Sequence, residues 1–194
     1  DTHNGSAITV NAALEAPGLI SGNISVASHS GTILGTLISR GAARGIGFSK
    51  MISLGNECDL GVGEITDLLV DDPNTETILL FLETIRDPDA LARAARRAYE
   101  AGKPVIAYKL GRSDAGRRLA VSHSGAIAGS DAAADAFFRH HGIVRVNMLE
   151  TLFEIPPLLA GAKDSAGKRV AVLTTTGGGA ATVVGGDPTA AQAS

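Results

Sequence analysis

The chain has 194 residues, of which 44% are hydrophobic, and its formal net charge at pH 7 is −3. This size allows a substantial apolar core, and without a clustered patch of Lys and Arg no nucleic-acid partner is expected. One cysteine excludes an internal disulfide and a cysteine-rich metal site and fits a cytoplasmic protein; no segment reaches the roughly 18 apolar residues of a membrane span.

Residues 1–22 show no sustained periodicity and are predicted to be an arm or linker. From residue 23 onward, short aliphatic runs alternate with helical segments. Strands are predicted at 23–28, 50–55, 75–83, 105–110 and 143–146, and helices at 31–44, 63–70, 88–102, 126–140 and 148–161, the last with a break at Pro156 and Pro157.

The predicted strands are aliphatic throughout, which is typical of strands buried on both faces of a parallel sheet. Five β-α units of this length predict an α/β fold, a flavodoxin-like three-layer sandwich with a parallel sheet of about five strands, over residues 23–162. Residues 163–194 contain the run RVAVLTTTGGGAATVV. They are predicted to be a linker followed by the truncated start, one β-α piece, of a second similar domain.

The tetrapeptide Ser-His-Ser-Gly occurs twice, at residues 28–31 and 122–125. The first copy follows a strand and opens a helix. The hydroxyls of Ser28, Ser30 and Thr32, the small Gly31 and the free N–H groups of the helix N-terminus together suit an anion. The alternative is plain N-capping of the helix, which needs no ligand.

The second copy ends a long polar loop rather than a strand, and it contains His123, Ser124 and Gly125. A histidine on such a loop can carry a group between two places; the alternative is an exposed histidine near a helix cap. Glu83 ends the most hydrophobic strand, where its carboxylate can accept a proton from an imidazole nitrogen. The alternative for Glu83 is a solvated glutamate at a strand end.

Three weaker features remain. Gly177, Gly178 and Gly179 form a second phosphate-cradle candidate, although the P-loop Lys-Ser/Thr pair is missing. Residues in the GNECD loop could line a substrate site: Gly55, Asn56, Glu57 and Asp59. No metal site is predicted, because the adjacent His140 and His141 diverge at a helix end.

Five segments in order resemble one family: VASHSGTILG, GIGFSKMISLGNECDLGVGEI, DDPNTETILLFLETIRD, GKPVIAYKLGRS and LAVSHSGAIAG. The sequence is similar over about residues 23–160 to the nucleoside-diphosphate-forming (NDP-forming) acyl-CoA synthetases, which include succinyl-CoA synthetase and ADP-forming acetyl-CoA synthetase. The resemblance implies a reaction in which acyl-CoA and phosphate give an acyl phosphate. The acyl phosphate phosphorylates a histidine, which passes the phosphoryl group to ADP or GDP.

By position, the resemblance implies that His123 is the phosphorylated histidine and that Glu83 hydrogen-bonds its ring. The resemblance also implies that Ser28–Thr32 begin a helix whose N-terminus holds the phosphoryl group, and that His29 has a structural role. The TTTGGG segment resembles a second such helix, which faces the phosphohistidine from another domain.

The resemblance also implies that the complete enzyme uses CoA, ATP/ADP or GTP/GDP, and Mg²⁺. We expect nothing bound to this chain beyond phosphate or sulfate, because CoA-binding and ATP-grasp domains are absent from it. The chain is therefore expected to be an incomplete portion of an acid–thiol ligase. Its expected partners are those two domains, in the same chain or another subunit, a small carboxylic acid and its CoA thioester, and a second copy in a homo-oligomer.

Two alternatives stay open at this stage. One is a regulatory module that keeps the fold and binds an anion or a protein partner without turnover. The other is a different flavodoxin-like enzyme such as an esterase, against which the missing Gly-x-Ser-x-Gly elbow counts.

Overall fold

The structure is a computed structural model that describes residues 1–6, 8, 19–112, 130–159, 173–178 and 181. The chain divides into two compact units, Asp1–Gly161 and Ala162–Ser194. The predicted boundaries, an arm over 1–22 and the start of a second domain over 163–194, stay predictions. Within the described ranges no helix is long and apolar enough to cross a membrane.

A five-stranded sheet forms the centre of the first unit, and every pair of neighbouring strands in it is parallel. The strand order is β2-β1-β3-β4-β5. The strands are β1 (Ser21–Ser28), β2 (Phe48–Ser53), β3 (Thr77–Leu82), β4 (Val105–Lys109) and β5 (Val144–Val146). All six residues of β3 are buried, as an aliphatic strand with helices on both faces requires.

Six helices are described in the first unit, and they connect the strands or follow the last one. They are α1 (Gly31–Ala42), α2 (Val62–Asp71), α3 (Pro88–Glu100), α4 (Asp131–His140), α5 (Leu149–Glu154) and α6 (Pro156–Leu159). The break predicted at the two prolines is confirmed, because α5 ends at Glu154 and α6 begins at Pro156.

Two apolar cores lie on opposite faces of the sheet. On one face, Leu69 of α2, Leu91 of α3 and Phe138 of α4 pack against Leu80 and other β-strand residues. On the other face, Leu37 of α1 and Phe153 of α5 pack against Val26, Leu79 and Ile106. The predicted flavodoxin-like three-layer sandwich is confirmed.

Helix α3 shows why the sequence pattern is informative. Asp87 accepts a hydrogen bond from the backbone N–H of Ala90 and so caps the helix, and Pro88 occupies its first turn. Leu91, Ala94, Ala95 and Ala98 are buried, whereas Arg93, Arg96 and Arg97 are exposed, as a solvated basic face requires. Gly102 has φ +68°, the left-handed conformation that ends helices.

Several boundaries differ from the prediction by one or two residues; β1, for example, begins at Ser21 rather than at residue 23. Two larger or better explained differences concern β2 and α4. Strand β2 begins at Phe48, two residues earlier than Lys50, because the Phe48 N–H already bonds to the chain beside β1 at Ile20 O (3.0 Å). The helix that ends at His140 begins at Asp131 rather than near Ala126. Ser130 has an extended backbone (φ −62°, ψ 139°) and its side chain accepts from the Ala133 N–H, which caps the helix there.

Candidate functional site

The sheet has one point at which the strand order reverses, and polar residues gather there. The chain leaves β1 toward the edge strand β2 and later continues from β3 toward β4, so the carboxyl ends of β1 and β3 flank the switch point. In open α/β sheets, ligands bind in the crevice at such a point. Ser28–Thr32 follow β1, the GNECD loop follows β2 and Glu83 follows β3.

Ser30 caps the N-terminus of α1, as the N-capping alternative for the first Ser-His-Ser-Gly copy predicts. Ser30 is the N-cap, and its Oγ accepts a hydrogen bond from the Ile33 N–H (3.4 Å). The buried Ser28 hydroxyl donates to Ser30 O (2.8 Å) and accepts from Ser30 N (3.1 Å). The first turn of a helix presents N–H groups without intrahelical partners, and the cap satisfies only that of Ile33. The N–H groups of Gly31 and Thr32 are therefore left for an anion.

Glu83 is buried as a residue, with 8% of its surface exposed. Its carboxylate accepts no hydrogen bond from the part of the chain that the structure describes, and its oxygens do not belong to the fully buried side-chain atoms that lack a partner. The carboxylate oxygens are therefore reached by solvent, which agrees in part with the solvated-glutamate alternative. They remain open to a donor from elsewhere.

His29 lies between the ends of the two central strands. Its backbone N–H donates to Phe81 O (3.1 Å), and its ring Nδ1 accepts from the backbone N–H of Glu83 (2.9 Å). Its Nε2 lies 3.3 Å from Glu57 Oε1, although the ring N–H is not aligned for a hydrogen bond with any described residue. The resemblance gave His29 a structural role, and its burial agrees with that role.

Glu57 does not face solvent as a substrate-loop residue would. Its side chain is only 4% exposed, and Oε1 accepts a hydrogen bond from the Val62 N–H at the start of α2 (2.7 Å). Burial alone would raise the pKa of Glu57, but the His29 ring, the Val62 N–H and Arg86 together hold it below its ordinary value. Gly55, Asn56 and Asp59 from the same loop are exposed.

Sequence reasoning missed two cations at this edge. Arg86 follows β3, and its Nε lies 3.5 Å from Glu57 Oε2. Lys109 ends β4 with only 6% of its surface exposed, and its Nζ donates to Leu110 O (3.0 Å). The available signal was positional, since each residue comes at or just after the end of a predicted strand.

Several predicted site residues lie outside the described residues: His123, Ser124, Gly125 and Gly179. Gly177 and Gly178 belong to the second unit, where the Thr176 N–H donates to the Thr174 hydroxyl (3.3 Å) just before them. A side chain at either glycine would meet open space. Their predicted role as a phosphate cradle stays a prediction.

Metal binding and the remaining histidines can be judged only over the described ranges. No group of three or more His, Cys, Asp or Glu side chains is placed there to hold a metal ion. His140 ends α4 and His141 is its C-cap residue, so both lie at the helix carboxyl end as expected. Burial, the neighbouring His140 and Arg96 lower the pKa of His141. Cys58 is exposed.

Comparison with known proteins supports the fold and the family together. Residues 21–159 match the family model described as the succinyl-CoA ligase like flavodoxin domain. The chain is 31% identical, over 79% of its length, to an ADP-forming acetate–CoA ligase of Methanocaldococcus jannaschii. It is 33% identical, also over 79%, to the alpha subunit of ADP-forming acetate–CoA ligase II of Pyrococcus furiosus. The chain spans 21% of the first relative and 33% of the second.

A solved structure gives the same result in three dimensions. The dinucleotide forming acetyl-coenzyme A synthetase 1 of Ca. Korarchaeum cryptofilum, in complex with phosphate and ADP, superposes with a TM-score of 0.72 at 34% identity. The match covers 82% of this chain and 34% of that one. This chain is thus similar to one part of a larger enzyme.

Proposed function

The chain belongs to the family of succinyl-CoA ligase like flavodoxin domains, and on that premise we propose that it is the phosphoryl-carrying domain of an NDP-forming acyl-CoA synthetase. In this proposal His123 is the carrier and Glu83 supports its ring. The complete enzyme interconverts acyl-CoA, ADP or GDP and phosphate with the free acid, CoA and ATP or GTP.

The reaction has three reversible steps. Phosphate oxygen attacks the thioester carbon, so a C–O bond forms, the C–S bond breaks and CoA leaves as the thiol. A ring nitrogen of His123 then attacks phosphorus, an N–P bond forms and the acid leaves as its carboxylate. Finally an oxygen of the nucleoside diphosphate attacks phosphorus, and the N–P bond breaks to regenerate the imidazole.

The observation that supports this proposal most is the position of Glu83, a largely buried residue whose carboxylate lies at the switch point. When one imidazole nitrogen attacks phosphorus, the other carries the proton and the ring becomes cationic. A fixed carboxylate that accepts a hydrogen bond from that N–H stabilises the charge and selects the tautomer. Glu83 is 8% exposed and accepts no hydrogen bond within the described residues, so it can accept one from an incoming imidazole.

The charges around the switch point also suit a phosphoryl group. The N–H groups of Gly31 and Thr32 offer donors and the positive end of the α1 dipole, which suits an anion of about −1.5 to −2 charges. Positioning and electrostatics of this kind supply most of the catalysis in phosphoryl transfer.

CoA, the nucleotide and Mg²⁺ are proposed for the complete enzyme and not for this part of it. The described residues offer neither a Gly-rich dinucleotide turn nor a cluster of carboxylates for Mg²⁺. We propose that CoA-binding and ATP-grasp domains supply those sites, from the same chain or another subunit. This chain is similar to the alpha subunit of ADP-forming acetate–CoA ligase II of Pyrococcus furiosus, an enzyme that is divided into subunits.

The proposal is tested by the intact mass of this chain after treatment with phosphoramidate, which phosphorylates imidazole directly. Over a short reaction time we expect one acid-labile phosphate on the wild type and none on His123→Ala, because the other histidines react more slowly. His140→Ala is the matched control, because His140 is an exposed histidine at the end of α4, and it should be labelled like the wild type. Labelling of His123→Ala at the wild-type rate, or a wild type that takes up no phosphate, would overturn the proposal in favour of a non-catalytic binding module.

A further inference from the structure

The amide of Glu83 is held differently from the other amides at the carboxyl edge of the sheet. The N–H groups of His29, Leu54 and Leu110 donate to backbone carbonyls of neighbouring strands at 2.8–3.1 Å. The N–H of Glu83 donates instead to the side chain of His29, at 2.9 Å. The start of the β3-α3 loop is thus held by one side chain rather than by the sheet ladder.

The hydrogen bond assigns the tautomer of His29. Because the Glu83 N–H donates to Nδ1, that nitrogen presents its lone pair and the ring proton is on Nε2. Nε2 faces Glu57 Oε1 at 3.3 Å, and the Val62 N–H fixes this carboxylate in turn. A carboxylate beside Nε2 favours a proton there, so Glu57 keeps Nδ1 free for Glu83.

This arrangement carries a cost that ordinary core packing would avoid. The side chains of His29 and Glu57 are each only 4% exposed, and His29 Nε2 and Glu57 Oε2 are buried without hydrogen-bond partners among the described residues. Apolar residues at both positions 29 and 57 would remove that cost, but they would also remove the acceptor that holds Glu83.

We propose that His29 is a positioning residue for phosphoryl transfer, which fixes the backbone of Glu83 so that its carboxylate meets the His123 ring in one geometry. This inference rests on the proposed function. The role is indirect, since His29 acts through Glu83. Glu57 holds His29 in the tautomer that the role requires.

Two substitutions of nearly equal shape separate positioning from packing. Asn places an amide oxygen where His29 has Nδ1, so His29→Asn keeps an acceptor for the Glu83 N–H. Leu has the same branched shape without the acceptor. We expect His29→Leu to slow phosphorylation of His123 by phosphoramidate roughly 10- to 100-fold, as misplacement of a reacting geometry does. We expect His29→Asn to stay within roughly threefold of the wild type, because it retains the bond.

A double-mutant cycle with Glu83→Gln tests whether the effect passes through Glu83. An unassisted imidazole still attacks the phosphorus of phosphoramidate slowly and displaces ammonia, so a rate at His123 remains measurable in each variant. If His29 acts only through Glu83, His29→Leu should change the rate by no more than roughly twofold in the Glu83→Gln background. Thr75→Val is the stability control: it removes the buried Ser25–Thr75 hydrogen bond away from the site and should lower stability with an unchanged rate.

The outcomes are distinguishable. No label on His123 of the wild type overturns the proposed function and this inference with it. A labelled wild type with equal rates for His29→Leu and His29→Asn, or with an undiminished effect of His29→Leu in Glu83→Gln, overturns this inference alone. If His29→Leu fails to fold, ¹⁵N NMR spectra of the wild type test the inference instead. A protonated His29 Nδ1 or a rapidly exchanging Glu83 amide overturns the inference. An unprotonated Nδ1 together with a Glu83 amide that is protected from exchange supports it.

Discussion

His29 Nε2 and Glu57 Oε1 lie 3.3 Å apart inside the protein, although they follow different strands. The contact joins the end of β1 to the loop after β2, and the hydrogen bond between Glu57 and Val62 extends it to α2. The end of β1, the loop after β2 and the start of α2 are thereby joined near the switch point. The stability of this edge of the sheet should therefore depend on one buried carboxylate.

Replacing Glu57 should separate its acceptor role from its charge. Glu57→Gln keeps an oxygen for the Val62 N–H, whereas Glu57→Ala leaves that N–H and the His29 ring without it. We expect Glu57→Ala to lower the free energy of unfolding by about 1–3 kcal/mol, and Glu57→Gln to lower it by less. Urea unfolding measures both, and equal losses in the two variants would contradict the acceptor role.

The Lys50–Asp72 pair predicts how stability responds to acid. Lys50 Nζ lies 2.6 Å from Asp72 Oδ1, and Thr75 donates to the other oxygen. Burial alone would raise the pKa of Asp72, but the hydrogen bonds from Lys50 and Thr75 outweigh it and lower the pKa from 3.8 to about 2. Because the folded pKa is the lower one, the stabilisation is complete above pH 3.8 and is lost as pH falls toward about 2.

Asp72→Asn removes this charge, so its unfolding free energy should change less between pH 4 and pH 2 than that of the wild type. At pH 7 we expect a loss of about 1.5–3 kcal/mol, the usual size for hydrogen bonds to a charged group. Asp71→Asn is the matched control, since the Asp71 side chain is 68% exposed and pairs with Arg97 at the surface. It should cost less than about 1 kcal/mol. The same acid response in Asp72→Asn and the wild type would refute the assignment.

Helices α2 and α3 meet at Gly63. A Cβ at this position would lie 2.6 Å from the backbone of Ala90 and Leu91, so Gly63→Ala must push the helices apart. We expect it to lower the free energy of unfolding by about 1–3 kcal/mol, as overpacking does. At Gly31 a Cβ would meet only Ser53 Oγ at 3.6 Å, so Gly31→Ala should be neutral or stabilising. Thermal unfolding compares the two, and a neutral Gly63→Ala would contradict the close crossing.

Ser30 allows capping to be separated from phosphate binding. Ser30→Ala loses the bond to Ile33 and should cost about 0.5–2 kcal/mol of stability. Asp caps helices as well as Ser, so Ser30→Asp should keep the stability while placing a negative charge at the proposed phosphate site. We expect Ser30→Asp to be stable and to take up phosphate on His123 more slowly than Ser30→Ala. If Ser30→Asp is phosphorylated as fast as the wild type, the anion does not sit at this helix N-terminus.

Part of the site could be predicted because it depends on chain order. Ser28–Thr32 and Glu83 follow aliphatic strands, and parallel strands bring such residues to one edge of the sheet. Which polar side chains are buried could not be predicted from chain order. Glu57 lies in a polar loop that reads as exposed, yet its side chain turns inward to Val62 and His29.

The sequence by itself determined the α/β class, the parallel sheet, the family and the edge at which ligands meet the fold, since periodicity, strand composition and motif order are local properties. Only the tertiary structure decided which polar groups are paired. The 2.9 Å bond from Glu83 to His29 joins residues 54 positions apart. It exists because β1 and β3 are neighbours in space, with β2 displaced to the edge of the sheet. Hydrogen bonds depend on distance and direction, and the packed sheet sets both.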